Sequence, residues 1–178
     1  MINKWLQTEQ AIKQWEAIAK RHQLKWFSQK GEAYRNILVD RRVGITRAMA
    51  IESYIVWLET GRKQVFVSST VAQSEIFKRC ILEFSGVERL PLGRHFRFMS
   101  PQMFCRETSG WLADEEYDLY LDGYLWMRDK DLSELLKSVA MSKPERQTFF
   151  SARVPDARYH LLEQVTEKVS GDLLANDH

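Results

Sequence analysis

The sequence predicts an α/β fold: a single domain built on a mainly parallel β-sheet with helices on both faces. Three observations predict it. Short apolar runs recur along the chain at Asn36 to Val39, Gln64 to Ser68, Tyr117 to Leu121 and Gln147 to Ser151. The stretches between them carry apolar residues at three- and four-residue spacing, which is the helical period. Strands that alternate with helices in this way lie parallel, because each crossover helix returns the chain to the same edge of the sheet. Finally, 178 residues with 44% hydrophobic content suffice for one buried core.

The elements follow in order. Trp5 to His22 reads as an amphipathic helix with Ile12, Trp15, Ala19 and His22 on one face. The segment Trp26 to Gly31 is expected to break it, and a short buried strand follows from Asn36 to Val39. From Thr46 to about Glu59 the pattern is helical and apolar on most sides, as in a helix packed on a sheet. Gly61 supplies its stop signal. After the strand Gln64 to Ser68, either Ser69 or Thr70 caps a helix whose apolar face is Val71, Phe77, Cys80, Ile81 and Phe84. Pro91 and Gly93 mark a turn, and His95 to Met99 is expected to pair with Met103 to Arg106 as a short antiparallel excursion. Leu132 to Met141 is a helix. Pro155 opens a last helix carrying Leu161, Leu162, Val165 and Val169, and Ser170 to His178 is expected to fray.

Composition narrows the function classes. Aromatic content of 12% and charged content of 28% describe a folded chain rather than a disordered one. The apolar runs are too short to cross a bilayer and the N-terminus lacks a secretory pattern, so the expected location is cytoplasmic, with no membrane partner. Cys80 and Cys105, the two cysteines, can build neither a disulfide framework nor a cysteine-based zinc site. The net charge of +2 is uneven: Lys20 to Arg47 holds eight basic residues against Glu32 and Asp40. Such an excess suits phosphate or nucleic acid, and equally a solvated helix face. Lys25, Lys30 and Arg35, beside Trp26, Phe27 and Tyr34, are the candidate DNA-binding residues.

Two segments carry most of the chemical information. Arg41-Arg42-Val43-Gly44-Ile45-Thr46 directly follows an apolar strand and opens a helix. A glycine at such a turn lets backbone amides point inward, and the helix start adds positive potential. Thr46 stands where a hydroxyl can ligate magnesium, and Arg41 and Arg42 can reach a terminal phosphate. Taken alone, the segment also fits an ordinary strand-to-helix turn with surface arginines. Tyr117 to Asp122 is a strand that ends on an acid, and an acid at that edge can hold magnesium through water. Asp122-Gly123 is equally a common turn signal. Thr148 and Ser151 put hydroxyls near the end of a further strand, where they can sense a phosphate or cap the strand. The histidines show no metal spacing, and no nucleophile motif stands out.

Taken together and in order, these segments resemble the N-terminal ATPase domain of tailed-phage terminase large subunits, the DNA-packaging motor. The loop at 41–46 looks like the branch reading Arg-Gln-x-Gly-Ala-Thr. Leu58 to Gln73, Asp118 to Trp126 and Arg146 to Ser151 also look like the family, so the resemblance covers roughly Trp26 to Pro155. It implies a P-loop NTPase-like fold of the RecA/ASCE type, spanning 26–169 behind an N-terminal helix at 1–25 and ahead of a frayed tail at 170–178. It implies ATP and Mg2+ as cofactors. Arg41, Arg42, Gly44, Ile45 and Thr46 would bind the nucleotide, with Gln29 as the adenine contact. Thr46 and Asp122 would hold the metal, and Thr148 and Ser151 would couple nucleotide state to movement. Arg128 and Arg153 are candidates to reach a neighbouring subunit in an oligomeric ring.

The sequence also departs from the family pattern. Ile45 occupies the position of lysine or alanine. Gly123 occupies the position of the glutamate that orients water, so the catalytic residue is unassigned. Loss of that group is expected to cost roughly a hundredfold or more in turnover. The family's nuclease domain is expected to be absent. The implied partners are the terminase small subunit, the portal or other packaging proteins, and double-stranded DNA. Two functions follow: a nucleotide-binding packaging ATPase with weak hydrolysis, or a catalytically inactive, terminase-derived decoy from a prophage or mobile element that binds packaging proteins or DNA. A plain DNA-binding module on the basic segment is a third reading.

Overall fold

The computed structural model describes residues 4–40, 43–88, 94–110, 112, 114–152 and 174–177. Two helices come first, α1 (Lys4–Ile18) and α2 (Arg21–Ser28), then β1 (Tyr34–Val39), α3 (Ile45–Thr60), β2 (Lys63–Ser68) and α4 (Val71–Ser85). The second half holds β3 (Phe96–Met99), α5 (Pro101–Glu107), β4 (Tyr117–Asp122), a 3-10 turn at Tyr124–Trp126, α6 (Asp129–Ser142), β5 (Arg146–Ala152) and β6 (Leu174–Asp177). All strands pair in parallel, in the order β3-β2-β4-β5-β1-β6. The predicted α/β fold with a parallel sheet is therefore the observed one. The expected last helix from Pro155 lies outside the described residues.

Strand alternation divides the core into two layers. Ile37, Val39, Phe66, Tyr120 and Phe150 face α1, α3 and α4. Leu38, Val65, Val67, Leu119, Leu121 and Phe149 face α5, α6 and the 3-10 turn. The strands are nearly all-apolar because both faces are covered, as parallel sheets require. Glycines in the left-handed region end α3 at Gly61 (φ +72°) and α4 at Gly86 (φ +68°).

Several local expectations need correction. The first helix is two: α1 stops at Ile18, and α2 restarts with Gln23 accepting from the Lys20 backbone at 2.9 Å. Trp26, Phe27 and Ser28 close α2 rather than breaking a helix, and Trp26 is fully buried, so it cannot stack on a base. The boundary placed between 25 and 26 thus falls inside a helix, and Trp15 and Trp26 belong to the same core as the sheet. Met103 to Arg106, with Cys105, is helical: Ser100 caps α5 by accepting from the Met103 N–H at 3.2 Å, and Pro101 sits at its first turn. β3 accordingly pairs in parallel with β2. Leu174–Asp177, within the tail expected to fray, pairs with β1.

Candidate functional site

The carboxyl ends of β1, β2, β4 and β5 open into one cavity of about 660 Å3. Its wall includes Val39, Asp40 and the loop residues Val43, Gly44, Ile45 and Thr46. Ser68, Ser69, Thr70 and Gln73 come from the β2–α4 junction, and Asp122, Gly123, Trp126 and Ala152 from the ends of β4 and β5. The topology explains the gathering. β5 lies between β1 and β4, so the loop after β1 and the acid ending β4 face one crevice across a single strand. In parallel sheets, ligands bind at this edge.

The loop is built around Gly44, which holds φ +78° and forms the N-cap of α3. A Cβ at this position would lie 2.6 Å from the Gln23 side-chain nitrogen. Gln23 donates to the Gly44 carbonyl at 3.2 Å, and His22 Nε2 donates to the Val43 carbonyl at 2.9 Å. Consecutive side chains of α2 therefore hold consecutive carbonyls of the loop. Sequence reasoning missed both, because their role depends on how α2 lies over the loop. Ile45 packs against the buried core as well as lining the cavity. Arg41 and Arg42 lie outside the described residues, as does Arg153.

Asp122 is the chemically distinctive group. Burial pushes its carboxyl up from 3.8 to about 7. Thr46 and Asp122 line the same cavity, and a hydroxyl and a carboxylate are oxygen donors that could hold a hard divalent cation there. Among the described residues no cluster of three or more histidine, cysteine or acidic side chains could hold a metal by itself. Magnesium takes one or two protein ligands and completes its shell with phosphate and water.

Other candidates lie elsewhere. Thr148 sits in the amino half of β5, where its hydroxyl accepts from Arg35 at 2.8 Å. Ser151 is fully buried, and its hydroxyl donates to the Ala152 carbonyl at 3.0 Å. Neither lines the cavity; β5 contributes Ala152. Gln29 caps the carboxyl end of α2, and its neighbour Lys30 pairs with Glu59 in the last turn of α3. Ile45 and Glu59 are separated by about 20 Å along that helix, so Gln29 is at the wrong end of α3 for a ligand held by the loop.

The DNA-binding assignment of Arg35 is also overturned. Its side chain is 1% exposed and forms a two-pronged ion pair with Glu52. Lys30 is tied to Glu59 at 3.3 Å, whereas Lys25 is exposed on α2. Arg128 is exposed and pairs with Asp131. Glu115 pairs with Lys63 at the amino end of β2, the opposite end of the sheet from Asp122. No helix among the described residues is long and apolar enough to cross a membrane.

Comparison with known proteins agrees with this architecture. No protein-family model matches the chain. It is 30% identical over 144 residues to the "probable terminase, ATPase subunit" of Haemophilus phage HP1, covering 75% of this chain and 22% of that protein. It is 26% identical over 139 residues to the terminase ATPase subunit of Escherichia phage P2, covering 73% and 23%. The chain thus spans under a quarter of the length of these curated relatives. Among solved structures, the UvsW helicase of bacteriophage T4 superposes with a TM-score of 0.67 at 11% identity over 89% of this chain and 60% of that one. The SWI2/SNF2 ATPase core of Sulfolobus solfataricus does so at 0.61 and 10%, over 89% and 44%. The large terminase of a thermophilic bacteriophage does so at 0.53 and 12%, over 88% and 45%. Over about three-quarters of its length, then, the chain is a distant homologue of phage terminase ATPase subunits, with the fold of RecA-like helicase and ATPase cores.

Proposed function

We propose that this chain is a terminase-type nucleotide-binding module that takes ATP with magnesium at the carboxyl edge of its sheet and acts in viral DNA packaging. The observation that supports it best is the meeting of Thr46 and Asp122 across one cavity under a glycine loop. The phosphates would lie along the amides at the start of α3, where orphan N–H groups and the helix dipole favour negative charge. Magnesium bound by Thr46 and Asp122 supplies neutralisation of the phosphate charge. Gly44 keeps the backbone open to the ligand, and His22 and Gln23 hold the loop in shape. Packaging proteins and DNA are the proposed partners, on the strength of the terminase homology.

A non-hydrolysing interaction module is the second reading. Gly123 favours it, because it offers no side chain beside Asp122. Titration calorimetry with ATP, with and without magnesium, tests the nucleotide site. Wild type is expected to bind with magnesium, and Asp122→Ala to bind at least about tenfold more weakly, roughly 1.4 kcal/mol. A folded protein that binds no ATP up to millimolar concentration defeats the proposal. Binding without phosphate release favours the second reading.

A further inference from the structure

The cavity holds a side chain suited to the task that Gly123 cannot perform. Gly123 lies at φ +69° and its N–H donates to the Phe150 carbonyl at 2.8 Å, so this position gives the cavity only backbone. The other acid in the wall, Asp40, follows β1, two strands from β4 and so about 10 Å away across the sheet. β2, in contrast, is the direct neighbour of β4. Ser68 is in register with Asp122, which puts the β2–α4 junction beside the acid at a spacing of about 5 Å.

Of the polar side chains at that junction, two accept from backbone N–H groups of the turn and the helix start. The Ser68 hydroxyl accepts from the Thr70 N–H at 3.4 Å, and the Thr70 hydroxyl accepts from the Gln73 N–H at 3.3 Å. The second bond fixes the backbone of Gln73 in the first turn of α4. Its half-buried side chain lines the cavity, and its amide makes no hydrogen bond to the described residues. An amide can accept from a water through its oxygen while donating to a phosphate oxygen through its nitrogen. That pairing orients water for in-line attack without a general base.

We infer that Gln73 is the water-orienting residue of this site and gives it slow, magnesium-dependent ATP hydrolysis. The inference rests on the nucleotide-binding reading above. The water oxygen forms a bond to the γ-phosphorus as the bond from that phosphorus to the β–γ bridging oxygen breaks. The water proton passes to a phosphate oxygen, since an amide does not take it, and ADP and inorganic phosphate are the products. Lack of a carboxylate base at this point is what makes the turnover slow.

The test pairs binding with chemistry on the full chain. Affinity for a non-hydrolysable ATP analogue with magnesium is measured by calorimetry. Phosphate release is measured in single turnover with protein in excess over ATP. Gln73→Ala is expected to keep its affinity within about threefold of wild type and to lose at least about tenfold in single-turnover rate. Gln73→Glu, which keeps a water-binding oxygen and adds a carboxylate base, is expected to hydrolyse at least as fast as wild type. An unchanged rate in Gln73→Ala overturns the inference, as does a loss confined to affinity. If Gln73→Ala fails to fold by circular dichroism, Gln73→Leu, of similar size and without the amide, takes its place, and an unchanged single-turnover rate in that variant overturns the inference. Wild type that binds the analogue yet releases no phosphate sinks the inference and leaves nucleotide binding standing. Absence of binding sinks both.

Discussion

Asp122 illustrates what one buried residue contributes to stability. Burial raises its carboxyl from 3.8 to about 7. The folded state therefore holds the proton more tightly than the unfolded chain does. The stability from this group is present below about pH 4 and is lost as pH rises through 7. A shift of that size corresponds to at most about 4 kcal/mol. In metal-free buffer, Asp122→Asn is expected to be more stable than wild type at pH 8, with the gap closing near pH 4. Urea melts at the two pH values check this, and a gap of the same size at both would refute it. Asp122, Thr46 and Gly44 were legible in the sequence because each sits at a strand end or helix start that its own neighbours announce. Gln23 and Gln73 were not. Each is one glutamine on a helix, and only the packing of α2 over the loop and of α4 beside β4 gives it a place in the site.

At the scale of elements, the sheet has a polar layer under its amino half that binds five of them together. Glu52 of α3 receives Arg35 of β1, Arg146 of β5 at 3.2 Å and the Tyr120 hydroxyl of β4 at 2.8 Å. Asp118 of β4 takes Gln64 at 2.8 Å and Arg62 at 3.2 Å, with Arg146 at 3.5 Å. Burial acts to raise the Glu52 carboxyl, and the charges and hydrogen bonds of Arg35, Arg146 and Tyr120 outweigh it, holding it below its usual range. Thr148 belongs to this layer, which accounts for its distance from the cavity. Glu52→Gln removes the charge that offsets two buried guanidinium groups and is expected to destabilise the fold by about 3–5 kcal/mol. A denaturant midpoint within error of wild type would contradict that. None of this was visible in the sequence. Arg35 follows Lys25 and Lys30 in a basic segment and reads as surface, while its partner comes from a helix 17 residues on. The helix at α5 was readable, in contrast: Ser100-Pro101 is a start signal that the weak alternation before it obscured.

Across the whole molecule, the two ends of the sheet have separate tasks, and the N-terminal helices serve both. Ion pairs at the amino half fix the sheet, the carboxyl edge forms the cavity, and α3 runs between them from Thr46 past Glu52 to Glu59. α1 covers α3 and α4 through Ala11 and Trp15, and the Trp15 ring meets Phe84 edge-on at 6.4 Å. α2 buries Trp26 and holds the loop carbonyls through His22 and Gln23. Sequence periodicity identified the helical stretch but could not show that its apolar face is core rather than an appendage, because the surface that receives it is assembled from α3 and α4. A chain shortened to begin at Trp26 would leave that surface bare and the loop unlatched. Loss of Trp15 packing alone is worth about 3–5 kcal/mol, which corresponds to a fall in melting temperature of roughly 10 °C or more for a chain of this length. Thermal circular dichroism with dye binding to exposed apolar surface measures it. A cooperative melt at the wild-type temperature would mean that α1 and the start of α2 are dispensable to the fold, and the latch on the loop would then have to be judged by nucleotide affinity alone.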